Sequence, residues 1–307
     1  MTTISVVCPC YNEESVIESF LARLSKQLKK VNLNYEILCI NDGSSDSTLE
    51  KLLSLKSTYS TLRVISLSRN FGKEAALTAG IDFALGDAVI PIDADLQDPP
   101  ELIPEMIKKW QEGYDAVLAK RISRNEDSFA KRISANWFYK LHNKISDYPL
   151  PSNVGDFRLM DKRVVEVVRA MPERQRFMKG ILSWAGFKTA TITYDRTMRN
   201  AGTSKFDGWR LWNLALDGIT SFSSAPLKVW WYMGGLVSFL SFFYGIFIIF
   251  KTLILGIDVP GYASLLTVIL FLGGIQLLGL GILGEYIGRI YIESKGRPIY
   301  VVDKEYN

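Results

Sequence analysis

Asp93 and Asp95 stand two residues apart in Asp93-Ala94-Asp95-Leu96-Gln97, directly after the apolar run Ala88 to Ile92. At a strand end where the chain bends, carboxylates at this spacing reach one divalent ion, and hard oxygen ligands suit Mg2+ or Mn2+. Gln97 can add a neutral oxygen. The same pair beside Pro99 and Pro100 also fits the plainer role of ending a strand and capping a helix. A nucleoside diphosphate would give the ion a purpose, because a departing sugar leaves negative charge on the diphosphate that a metal offsets. Asp42, in Asn41-Asp42-Gly43-Ser44-Ser45, and Glu13, in Pro9-Cys10-Tyr11-Asn12-Glu13, are candidates to hydrogen-bond a base or ribose. Turn formation and helix capping are their plainer roles.

These segments need a scaffold that brings them together. Ile4 to Cys8, Glu36 to Ile40, Leu62 to Leu67, Ala88 to Ile92 and Ala116 to Ala119 are short apolar runs ending in polar residues, and they predict buried strands. Between them, Val16, Ile17, Phe20, Leu21, Leu24 and Leu28 recur at helical spacing, as do Leu49, Leu52 and Leu53. The alternation predicts an α/β fold with a mostly parallel sheet covered on both faces. In such sheets ligands bind outside the carboxyl ends of the strands. The loops carrying Glu13, Asp42 and Asp93 should therefore share one rim, with the Asp42 strand expected next to the Asp93 strand.

The last third of the chain is different. Of its 307 residues, the 22 from Val229 to Phe250 carry no charge, nor do the 23 from Tyr262 to Gly284. At about 1.5 Å per residue each reaches roughly 33 Å, enough to cross a hydrocarbon core of about 30 Å. Trp230, Trp231 and Tyr232 stand where an aromatic belt would lie. Basic residues gather before the first span (Arg199, Lys205, Arg210, Lys228) and after the second (Arg289, Lys295, Arg297, Lys304), so both ends should face the cytoplasm. The expected organisation is a cytosolic catalytic domain over 1–205, a juxtamembrane amphipathic segment over 206–228, spans at 229–250 and 262–284 around a periplasmic loop at 251–261, and a cytosolic tail over 285–307. Glu13 and Glu14 follow only a very short apolar stretch, so no signal peptide is expected.

A cytosolic site beside two spans can reach a phosphate on a lipid head group. Phosphate monoesters are largely ionised at neutral pH, with a second pKa near 6, and need cations to hold them rather than a base to activate them. Arg121, Arg132, Arg199 and Lys205 are candidates; a cation of this kind taken alone is more often an ordinary solvated side chain than a ligand. The single histidine, His142, excludes a His-based triad or a multi-His metal site. A net charge of +4 without a Lys/Arg-rich run gives no footprint for nucleic acid. Cys8, Cys10 and Cys39 match no zinc or redox spacing and are expected as reduced core thiols.

Taken together, Pro9 to Glu13, Asn41 to Ser45, Arg69-Asn70-Phe71-Gly72-Lys73, Asp93 to Pro99 and Gly284-Glu285-Tyr286-Ile287-Gly288-Arg289 resemble polyprenyl-phosphate glycosyltransferases of glycosyltransferase family 2. The segments Trp137 to Lys144, Val154 to Met160 and Phe177 to Trp184 most resemble the bactoprenol glucosyltransferases that serve O-antigen modification. The resemblance implies a glycosyltransferase-A-type fold, UDP-glucose as donor, undecaprenyl phosphate as acceptor and inversion at the sugar. It implies a multi-pass protein of the bacterial inner membrane whose product passes to a downstream flippase and an O-antigen glucosyltransferase. Metal ligands map onto Asp93, Asp95 and Gln97, and nucleotide contacts onto Pro9, Tyr11, Glu13 and Asp42. Phosphate cations map onto Arg121 and Arg132, with Arg199 and Lys205 on a loop near the diphosphate, and Asp156 falls near the donor sugar. Cys10 replaces the small residue usual in the first motif.

Other classes fit less well. A processive polysaccharide synthase needs more spans and a Gln-x-x-Arg-Trp motif, which the chain lacks. A flippase or catalytically dead scaffold sits poorly with uncharged spans and an intact Asp93/Asp95 pair. Mannose, GlcNAc or aminoarabinose donors remain compatible with the same motifs. Two spans and an interfacial helix bury little membrane surface as a monomer, so a small homo-oligomer is expected.

Overall fold

The computed structural model describes residues 2–122, 153–195 apart from 172, 175 and 177, 225–255 and 261–306. Five strands alternate with helices in the order expected: β1 (Thr3–Cys10), α1 (Ile17–Leu28), β2 (Asn34–Asn41), α2 (Thr48–Leu55), β3 (Leu62–Leu67), α3 (Lys73–Phe83), β4 (Ala88–Pro91), α4 (Ile103–Gln111) and β5 (Ala116–Arg121). Then come β6 (Val154–Asp161), α5 (Lys162–Ala170), α6 (Met178–Trp184), β7 (Thr189–Tyr194), the two long helices α7 (Ala225–Leu255) and α8 (Tyr262–Ser294), and β8 (Val302–Tyr306). The sheet runs β7-β5-β6-β4-β1-β2-β3-β8. Neighbours are parallel except where β6 meets β4 and β5 and where β8 meets β3.

Alternation along each strand sends side chains into two cores. Val6 and Cys8 of β1, Ile37 and Cys39 of β2 and Ile90 of β4 pack with Phe20, Leu24, Leu52 and Ile107 of α1, α2 and α4. Val7, Leu38, Ile40 and Val89 point the other way, onto Ala76, Leu77, Val164, Val168 and Ile181 of α3, α5 and α6. Phe20, Leu21 and Leu24 are wholly buried, as the helical spacing of the α1 apolar residues requires. The three cysteines are free and buried. Cys8 lies opposite Cys39 in the β1–β2 register, and the three Sγ atoms fall within 4.8 Å of one another. Burial pushes the Cys8 thiol well above its ordinary pKa.

α7 and α8 each outrun the uncharged stretch within them. The windows Val229–Phe247 and Phe271–Ser294 are long and apolar enough to cross a membrane, with 0% and 6% of their residues buried. That exposure separates them from soluble core helices and makes them candidate membrane spans. They meet where Gly279 lies against the indole of Trp230, a contact that a Cβ on Gly279 would block. Residues 285–307 are not a simple tail. α8 continues to Ser294, and β8 returns to pair antiparallel with β3 at the edge of the eight-stranded sheet. Tyr300 Oη donates to Asp82 Oδ2 at 2.8 Å, and Arg174 N donates to Glu293 Oε1 at 2.9 Å, tying the end of α8 and the segment after it to the α/β unit. Residues 206–224 and 256–260, within the expected amphipathic segment and intervening loop, lie outside the described residues.

Candidate active site

β1, β2, β3 and β4 run the same way, so their carboxyl ends open on one edge. The first two loops are laced together there. Asp42 N donates to Cys10 O at 2.9 Å, Asn12 N to Ser44 Oγ at 3.1 Å and Ser45 N to Asn12 Oδ1 at 2.9 Å. Asn12 takes a left-handed backbone, φ 56°, which asparagine tolerates better than most residues. Tyr11 is exposed, Pro9 and Glu13 are partly buried, and the Glu13 carbonyl accepts from Val16 and Ile17 to begin α1. Glu13 N donates to Thr48 Oγ1 at 2.8 Å, at the start of α2.

Asp42 is 2% exposed, and its two oxygens accept from different residues of the third loop: Phe71 N at 2.8 Å and Gly72 N at 2.9 Å. Burial raises its pKa, and these two N–H groups offset only part of the rise. The expectation that Asp42 and Asp93 sit on neighbouring strands does not hold. β1 intervenes between β2 and β4, because the chain enters the sheet at its centre and adds strands on both sides. The link between the two aspartates is instead the loop 69–73, where Asp42 holds Phe71 and Gly72 and the next residue is Lys73.

Lys73 is the first residue of α3. Its Nζ lies 2.7 Å from Asp93 Oδ2 and 2.9 Å from Asp156 Oδ2. Asp156 reaches this point because β6 runs against its neighbours, so its first residues lie at the carboxyl ends of β4 and β5. Burial pulls the Lys73 ammonium down in pKa, but the Asp93 and Asp156 charges outweigh it and hold the group above the usual lysine value. Burial pushes Asp93 up, and Asp156 adds to that while Lys73 opposes it. Beyond Asp93 the chain turns tightly: Asp95 Oδ1 accepts Gln97 N at 3.1 Å, Leu96 has φ 59°, and Gln97 and Asp98 are buried.

Arg121, the last residue of β5, lies in a second polar knot. Its Nε donates to Tyr194 Oη at 3.2 Å, Tyr194 Oη donates to Asp98 Oδ1 at 2.5 Å, and Arg121 Nη2 stands 3.6 Å from that same carboxylate oxygen. Burial, then the Asp98 charge, raises the Tyr194 pKa and keeps the phenol protonated. Arg132, Arg199 and Lys205 lie outside the described residues. Lys73, Asp98 and Tyr194 had no individual role in the sequence reading. The positions of Lys73 inside the Arg69 to Lys73 motif and of Asp98 inside the Asp93 to Pro99 motif are the signals that point to them; Tyr194 has none.

The rim thus joins carboxylates and cations from the carboxyl ends of β1 to β5 and the start of β6, an arrangement suited to holding a polyanion against a cation-bearing site. The glycosyl transferase family 2 model matches residues 5–169, and the GtrB C-terminal hairpin model matches residues 225–290. A bactoprenol glucosyl transferase of Shigella phage SfV is 56% identical over 302 residues, covering 98% of both chains. An uncharacterized glycosyltransferase of Synechocystis sp. is 53% identical over 299 residues, 97% of this chain and 94% of that protein. A prophage bactoprenol glucosyl transferase homolog of Escherichia coli K12 is 54% identical over 301 residues, 98% of each. Among solved structures, mannosyl-3-phosphoglycerate synthase from Rubrobacter xylanophilus matches with TM-score 0.49 and 17% identity over 70% of this chain and 71% of that one. With a glycosyltransferase-A-type sheet whose strands β1 to β6 fall within the family 2 match and a GtrB-type hairpin after it, the chain belongs to glycosyltransferase family 2.

Proposed function

We propose that the protein transfers glucose from UDP-glucose to undecaprenyl phosphate at the cytoplasmic face of the bacterial inner membrane, giving a lipid-linked glucose for O-antigen modification. The observation that carries this reading is identity of 56% with a bactoprenol glucosyl transferase across both the sheet and the hairpin. A match confined to the family 2 domain would have left the acceptor open.

In this reading Pro9, Tyr11, Glu13 and Asp42 line the nucleotide side of the rim. Asp42 acts partly through the loop it anchors. The Asp93 and Asp95 carboxylates and the Gln97 amide are hard oxygen donors, and a cation, the Lys73 ammonium, already rests on Asp93. That donor set fits Mg2+ or Mn2+, which would supply positive charge opposite the leaving diphosphate. Arg121, steadied by Asp98 and Tyr194, holds the lipid phosphate, together with Arg132; Arg199 and Lys205 close on the diphosphate.

A phosphate oxygen of the acceptor attacks the anomeric carbon, the bond from that carbon to the UDP oxygen breaks, and an α-linked donor yields a β-linked lipid phosphate. The attacking oxygen is already ionised at neutral pH, so no residue need remove a proton. Asp156 serves in positioning, through Lys73. The hairpin sets the height of the rim relative to the head groups, and the product leaves in the membrane for a flippase and an O-antigen glucosyltransferase. The active form is a small homo-oligomer.

The test is incubation of the full-length protein in detergent with undecaprenyl phosphate and, separately, UDP-glucose, UDP-GlcNAc, GDP-mannose and UDP-aminoarabinose, with lipid products read by mass spectrometry. A hexosyl lipid from UDP-glucose alone is expected. A different preferred sugar would refute the donor assignment, a polymer would indicate a synthase, and no lipid product from any donor would overturn transfer itself.

A further inference from the structure

We propose that Lys73 is an exchangeable counter-ion for the metal site: its ammonium holds Asp93 and Asp156 together while the site is without donor, and moves from Asp93 to the donor diphosphate when metal and nucleotide bind. The inference rests on the reading of Asp93 and Asp95 as metal ligands.

Three observations lead to it. The Lys73 ammonium occupies Asp93 Oδ2 at 2.7 Å, the side chain that a divalent ion would need. It also contacts Asp156 Oδ2 at 2.9 Å, so one positive charge bridges two carboxylates, one just after β4 and one in β6, that would otherwise repel. Lastly, Lys73 is the first residue after Gly72, whose N–H is fixed by the buried Asp42 carboxylate. Its backbone is therefore anchored while its side chain is 47% exposed, its ammonium end held between the two carboxylates. A divalent ion arriving alone would stand beside the ammonium as a second positive charge on the same carboxylate. Arriving with a diphosphate, it brings the negative charge that takes up the ammonium. Lys73 thus makes metal binding depend on the nucleotide and delivers a cation to the diphosphate.

The prediction concerns metal affinity without turnover. Free Mn2+ is followed by electron paramagnetic resonance as full-length protein in detergent is titrated, with and without UDP, for wild type, Lys73→Met, Lys73→Gln and Lys73→Arg. Lys73→Met should bind Mn2+ at least about five-fold more tightly than wild type without UDP, and UDP should improve its Mn2+ affinity less than it improves that of wild type. Lys73→Arg should stay close to wild type. Lys73→Gln gives the same readout as Lys73→Met should the methionine variant not fold. Equal or weaker Mn2+ binding by the neutral variants, with wild type still binding Mn2+ when UDP is present, overturns the counter-ion role and leaves the metal site standing. Failure of wild type to bind Mn2+ even with UDP overturns both.

Discussion

Gly43, in the loop after β2, lies directly beneath the backbone of Arg69: a Cβ built on Gly43 would overlap the Arg69 carbonyl carbon and the Asn70 nitrogen. Its φ of 62° adds to the demand for glycine, since that region is open to other residues only at a cost. The second and third loops of the rim are therefore in backbone contact, just where Asp42 grips Phe71 and Gly72.

Gly43→Ala should push the 69–73 loop away from Asp42. The strain costs about 1–3 kcal/mol. The functional loss should exceed the loss of stability, because the displaced loop carries Lys73. We expect the KM for UDP-glucose to rise by on the order of ten-fold, with thermal unfolding still cooperative. An unchanged KM would show that the loop contact does not shape the donor site.

Tyr194→Phe should act on the other substrate. The change removes the donor to Asp98, a carboxylate only 4% exposed, and the acceptor of Arg121 Nε. A lost hydrogen bond of this kind is worth about 1 kcal/mol, or roughly five-fold in an equilibrium constant. The KM for undecaprenyl phosphate should rise by that factor while the KM for UDP-glucose stays within about two-fold. A change confined to the donor KM would contradict the assignment of Arg121 to the acceptor.

Much of the scaffold was legible in the sequence. Runs such as Leu62 to Leu67 and the 3–4 spacing of Phe20, Leu21 and Leu24 report burial directly, and burial is what builds this sheet. The rest depends on contacts between distant residues. Val302-Asp303-Lys304-Glu305-Tyr306 looks like a solvated tail because its charged side chains face water on an edge strand, and only the vacant edge of β3 makes it β8. Lys73 in a polar loop looks like any surface lysine until β6 brings Asp156 beside it. The Asp98–Tyr194 pair spans 96 positions of sequence, and the nearness of Cys8 to Cys39 is a matter of strand register. The Asp93/Asp95 pattern stood out because its spacing and place at a strand end are local.

Acid stability offers a test of the fold's lower half. Asp161 caps α5 by accepting Arg163 N at 2.9 Å, and it accepts from Trp110 Nε1 at 2.7 Å. Burial would raise its pKa, but the Arg163 backbone N–H, the Trp110 indole and the Arg163 side chain outweigh it and hold the carboxyl below its usual range. A lowered folded pKa means stability that is present above the unfolded value, about 3.9, and lost as pH falls through the folded one. Asp161→Ala should therefore cost about 1–2 kcal/mol at pH 7. The gap to wild type should narrow between pH 5 and pH 3, read from thermal unfolding across that range. A gap that widens on acidification would contradict the lowered pKa.

In the proposed function the Asp93 and Asp95 carboxylates serve a metal-held diphosphate at a rim level with lipid phosphates. The most direct measurement is transfer of labelled glucose to undecaprenyl phosphate by chelator-treated protein, with Mg2+ or Mn2+ restored, for wild type, Asp93→Asn and Asp95→Asn. Transfer should vanish on chelation, return with the metal for wild type, and stay on the order of 1,000-fold lower for both variants at any metal concentration. Near-normal transfer by either variant, or by chelated wild type, would contradict the account.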